Sequence, residues 1–187
     1  MVFAWLVGTA SAGTDSAAVI PRPIAGHPVF EMRVGMDRID QQHPFICAEG
    51  TPVAWLSIEG CGTGSGFLHR DEDADMAHFR AKGRVLDATM GRGTLDWLVG
   101  AGFTEVQRTA DAPGFRFGAA REPEQVEAAG PEVSTSLKGR YYVDPGARTY
   151  VTADLNAGVA TIPAAPTVMG TAGPLIPFAA LTVGLGF

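Results

Sequence analysis

Long runs in which apolar and polar side chains alternate constrain this chain more than any other feature. A period of two is that of a β-strand, because successive side chains point to opposite faces. In 29–38, Phe30, Met32, Val34 and Met36 share one face, and Glu31, Arg33, Gly35 and Asp37 share the other. In 76–87, Ala77, Phe79, Ala81, Gly83 and Val85 oppose His78, Arg80, Lys82 and Arg84. In 94–106, Leu95, Trp97, Val99, Ala101 and Phe103 oppose Asp96, Leu98, Gly100 and Gly102. In 131–143, Val133 and Leu137 oppose Glu132, Ser134, Ser136, Lys138 and Arg140. In 149–161, Val151 and Leu155 oppose Asp154, Asn156 and Gly158. The last run, 177–187, sets Ala179, Leu181, Val183, Leu185 and Phe187 against Thr182, Gly184 and Gly186.

Globular strands usually hold about 5–6 residues, whereas a tilted membrane-spanning strand needs about 9–11. These runs match the second length. Composition agrees with a strand-rich chain: 24 glycines and 13 prolines among 187 residues weaken helix interiors. A hydrophobic fraction of 46% argues against disorder. A net charge of −6 with no basic run argues against a nucleic-acid partner. Connections alternate in length. Met90–Gly93 and Asp144–Ala147 are tight turns, while 108–130 and 162–175 are long.

Alternation suits two architectures. A soluble β-barrel or sandwich turns the apolar face inward, and would bind a small apolar ligand or a protein partner. A transmembrane barrel turns it toward lipid and keeps the polar face inside. Glycines on the polar faces and charges of both signs favour the transmembrane form, since a narrow interior must mix small and large side chains. The expected fold is therefore all-β: an antiparallel up-and-down transmembrane barrel of about eight strands. Its interior charge network would comprise Glu31, Arg33, His78, Arg80, Lys82, Arg84, Asp96, Glu132, Lys138, Arg140 and Asp154.

Six strands are legible, and Pro52–Glu59 reads as a seventh. The remainder fall in 39–75 or 14–26, or else 39–75 is one long loop. Apolar residues up to Val7, followed by small Ala10 and Ala12, read as the tail of a signal peptide over 1–12. The barrel domain is then 13–187. In an exported chain, Cys47 and Cys61 read as one disulfide, worth about 3 kcal/mol in the chain-entropy description.

The ending resembles the final strand of bacterial outer-membrane β-barrel proteins, which close on an aromatic residue preceded by alternating apolar ones. Leu181, Val183, Leu185 and Phe187 carry that resemblance. The size is similar to the small eight-stranded barrels of the OmpA membrane-domain and OmpX type. The resemblance implies a bacterial outer-membrane location, contact with the lipid bilayer, and a C-terminal strand read by the barrel-assembly machinery. The implied role is structural or that of a narrow pore. A periplasmic or secreted location goes with the soluble alternative.

No motif calls for a cofactor, a metal or catalysis. Gly60–Gly66 is glycine-rich but lacks the Gly-Lys-Ser/Thr ending of a phosphate loop, and Ser65 is not in a nucleophile elbow. Asp71–Asp75 lacks EF-hand spacing and reads as a solvated loop. His27, His43 and His69 have no partner pattern. His78, with Glu132, Ser134 and Ser136 on another polar face, is the one arrangement that a lipid-modifying barrel enzyme could use. An interior charge network is the plainer reading. Trp97, Phe103, Tyr141, Tyr142, Tyr150 and Phe187 fall near strand ends, where interfacial girdles would place them.

Overall fold

The structure is a computed structural model, and it describes residues 29–39, 43–64, 74–108, 115–143 and 149–187. Eight strands follow one another: β1 (Val29–Asp37), β2 (Phe45–Val53), β3 (Leu56–Gly62), β4 (Ala74–Met90), β5 (Gly93–Arg108), β6 (Glu127–Tyr142), β7 (Tyr150–Thr161) and β8 (Leu175–Gly186). One short helix, α1 (Ala165–Met169), precedes β8. Each strand pairs antiparallel with the next, and β8 pairs back onto β1 through Val34 and Val183, closing the barrel. Closure leaves the sheet without an open edge along the paired strands.

The three short connections, 53–56, 90–93 and 143–149, lie at the end of the barrel that also holds Val29 and Phe187. Phe30 and Phe187 exchange backbone hydrogen bonds of 3.0 Å there. The Met90–Gly93 turn needs a left-handed residue, which Gly91 supplies at φ 56°. The four longer connections lie at the opposite end. One of them, 162–174, carries α1, which Pro166 opens and Gly170 ends at φ 67°.

The missing strands are β2 and β3, inside the segment 39–75 that also read as one long loop. Pro52–Glu59 is not one strand: it holds the end of β2, the Ala54–Trp55 turn and the start of β3, with Val53 paired to Leu56. These strands were hard to read because their inward face includes Phe45, Cys47 and Cys61 and their outward face includes Ala48, Gly50 and Gly60. The usual contrast between faces is lost there. A bulge between Arg84 and Leu86 shifts the pattern of β4, so Leu86 pairs with outward Trp97 and Asp87 with inward Asp96. Tyr142 and Tyr150 point into the barrel, 4% and 1% exposed, and do not join a girdle. The 1–12 segment, the stretch 14–26, His27, Ser65, His69, Asp71–Asp73 and Asp144–Ala147 lie outside the described residues.

Polar side chains face inward and apolar ones outward. Glu31, Arg33, Lys82, Lys138 and Asp154 are buried, while Met32, Val34, Leu137, Val151 and Leu181 are about half exposed. At the long-loop end the interior turns apolar: Met76, Val106, Ala128, Ala160, Ile162, Ile176 and Phe178 pack with Ala165 and Val168 of α1.

Inward glycines let large side chains cross a narrow interior. The Phe178 ring lies over Gly158, and the Tyr150 ring over Gly186. A Cβ on Gly158 would collide with the Phe178 ring and the Val133 carbonyl, whereas one on outward Gly139 would meet nothing within 4 Å. Gly158→Ala is expected to cost about 1–3 kcal/mol through overpacking. Gly139→Ala should stay within about 0.5 kcal/mol. Urea midpoints of the folded band on a gel will compare the two; equal midpoints would contradict this packing.

Candidate functional site: the barrel interior

Strand periodicity sends every second side chain inward, so ionisable groups from seven of the eight strands meet in layers across the lumen. At the short-turn end Tyr142 and Tyr150 lie with ring centroids 5.3 Å apart. The Tyr150 hydroxyl donates to Glu31 at 2.9 Å, and Arg140 Nε donates to the same oxygen at 2.7 Å. Arg140 also pairs with Asp96, which Arg84 approaches at 3.6 Å from a side chain 25% exposed.

The middle layer is the densest. Lys82 Nζ lies 2.9 Å from Glu49, 2.7 Å from Glu59 and 3.1 Å from Asp154. Arg33 contacts Glu31 at 2.8 Å and Glu49 at 2.9 Å, and pairs with Glu59. Lys138 reaches Glu49 at 2.5 Å and Glu31 at 3.1 Å. A buried ion is costly unless several partners replace its water, and here each charge has two or more.

Above it, Arg80 contacts Glu59 at 2.7 Å, donates to Asn156 at 2.8 Å, and stands over the Phe178 ring at 5.5 Å. His78 Nδ1 lies 2.5 Å from Glu132, which also accepts from Thr104. The His78 ring packs 4.4 Å from that of Phe178. Of the groups considered beside His78, the structure brings Glu132 to the ring. Ser134 and Ser136 face inward on β6 among the buried residues.

All eleven predicted network residues thus point into the lumen. Sequence reading missed Glu49 and Glu59, because β2 and β3 were not resolved as strands. The charge count held a signal: four predicted carboxylates stood against six Arg and Lys residues. Glu49 and Glu59 even that balance. Thr104 and Asn156, which also bond within the network, carry no such signal.

Glu49, Glu59 and Asp154 bring carboxylate oxygens within 4.8 Å of one another, the spacing of a cation site. The Lys82 ammonium occupies the point where a cation would sit. Cys47, Glu59 and Cys61 converge similarly, but the two sulfurs are joined in the expected disulfide. The lumen therefore neutralises its own charge with its own side chains.

No family model matches the chain, and no curated protein matches it in sequence. Among solved structures it is similar to the N-terminal β-barrel domain of Pseudomonas aeruginosa OprF, at 13% identity and a TM-score of 0.45. It is also similar to Ail, the attachment invasion locus protein of Yersinia pestis, at 12% identity and a TM-score of 0.43. Each comparison covers 86% of this chain and 96% of the other. The barrel itself is established by the strand pairing described above.

Lys82→Met would leave three carboxylates facing one another. It is expected to destabilise the barrel by about 3–5 kcal/mol. Adding Glu59→Gln should recover part of that loss. A double-mutant cycle in urea measures the coupling, and additive costs would contradict the network.

Proposed function

We propose that this chain is an exported barrel that spans the bacterial outer membrane, serves a structural role, and presents its long-loop end without conducting solutes. The observation that carries the reading is the chemistry of the outer wall. Charged residues at outward strand positions occur, among the described residues, only at the long-loop end. They are Asp75, Glu105 and Glu127, and all three are buried. Elsewhere that wall shows Met32, Val34, Ile58, Val99, Val133, Leu155, Val183 and Leu185, each about half exposed. Exposed apolar surface that continues around a barrel calls for lipid.

One outward polar pair satisfies itself, as a hydrocarbon surrounding demands. Trp97 Nε1 donates to Thr135 at 2.6 Å, and the Thr135 hydroxyl donates to the Leu98 carbonyl at 3.2 Å. Phe30, Trp55, Trp97, Tyr141 and Phe187 lie outward toward the short-turn end, suited to an interfacial girdle. The soluble alternative needs the opposite facing.

Closure to solutes follows from filling. The lumen carries the charge network through its middle, Tyr142 and Tyr150 at one end and the α1 cluster at the other. An eight-stranded barrel is just wide enough for side chains to fill it. Leu181, Val183, Leu185 and Phe187 all face outward, 52–63% exposed, where the barrel-assembly machinery could read them before insertion. The leader expected over 1–12 belongs to the same proposal.

The test is a gel in detergent combined with planar-bilayer recording. The unboiled protein is expected to migrate differently from the boiled one, to need detergent for solubility, and to give no steady conductance. A soluble monomer in plain buffer would overturn the membrane reading, and reproducible conductance steps would overturn closure.

A further inference from the structure

The disulfide faces the barrel interior near the long-loop ends of β2 and β3. Cys47 and Cys61 occupy directly paired inward positions of β2 and β3, and are 2% and 5% exposed. Phe45 and Ala180 pack against them. Toward the short turns lie Glu49, Glu59, Lys82 and Arg33, tied to one another by ion pairs. Toward the long loops lie Phe178 and Met76, then Ile162, Ala165 and Val168, none more than 4% exposed. Around the sides runs paired backbone. Forming or breaking a disulfide requires a thiolate to reach a sulfur through a mixed-disulfide intermediate, and cysteines 2% and 5% exposed present almost no surface to one.

The bond is nonetheless local. The two cysteines are 14 residues apart and face each other across one hairpin, with Cα atoms 4.1 Å apart. That hairpin brings them together without the other six strands. We infer that the Cys47–Cys61 bond is made on an open β2–β3 hairpin, before β8 closes onto β1, by thiol–disulfide exchange with an oxidised dithiol. One cysteine thiolate attacks the oxidant's disulfide and forms the mixed disulfide. The second displaces the oxidant as its reduced dithiol. Two electrons and two protons leave the pair, and both are taken up by the oxidant. Oxidation therefore precedes barrel closure, and the closed barrel retains whichever redox state it was closed in.

The experiment uses the full chain and counts free thiols by maleimide mass shift after quenching and unfolding. The oxidised barrel, folded in detergent, is challenged with a phosphine reductant; the reference is the same chain in urea. Reduction is expected to be at least about a hundredfold slower in the folded protein, because it must await an opening of the barrel. Rates within a few-fold of each other would overturn the inference. In the converse arm, reduced chain is offered detergent and then oxidised glutathione. A folded barrel that keeps two free thiols supports the order. So does a reduced chain that does not reach the folded gel band. A reduced barrel that folds and then oxidises as fast as the unfolded chain overturns it.

Discussion

The buried Lys82 ammonium sits among three carboxylates in the lumen, and the rest of the structure depends on that arrangement. Charges turned inward are tolerable only when each finds its counter-charge within a few ångströms. Arg33 and Lys138 share the same acids, so the middle layer is one connected network and not a set of pairs. Once inward positions are committed to this network, alternation commits the outward positions to apolar side chains. The facing of the barrel and the charge balance of its interior are one constraint seen from two sides.

Filling a narrow interior with long charged side chains needs room, which inward glycines provide. Arg33 runs over Gly184 and Tyr150 over Gly186. Toward the long loops the charges stop, and an apolar cluster with α1 takes their place. The lining thus changes from ionic in the middle to apolar at the long-loop end, with Tyr142 and Tyr150 buried at the other.

Much of this was legible in the sequence because long strands with contrasting faces announce themselves. In β1 and β6 the two faces differ in nearly every residue, and their inward charges were placed from alternation alone. In β2 and β3 the contrast vanished: Cys47 and Cys61 point inward as apolar side chains, and Gly50 and Gly60 point outward. Nothing in a period-two pattern can mark such a strand. Those two strands carry Glu49 and Glu59, so the network was read with a surplus of positive charge. The end of the 76–87 run was obscured in another way, because a bulge after Arg84 shifts the register without changing composition. Tyr142 and Tyr150 sit near strand ends as girdle residues do, and only their parity tells that they point inward. Position along the strand was the weaker guide, and facing the stronger.

The most direct measurement concerns which face meets lipid. A variant with Trp5→Phe and Trp55→Phe retains Trp97 alone, an outward residue 44% exposed. Reconstituted in bilayers with brominated acyl chains, its fluorescence is expected to be strongly quenched by the lipid and little affected by aqueous iodide. Quenching by iodide with no effect of brominated lipid would place Trp97 in water and contradict the account.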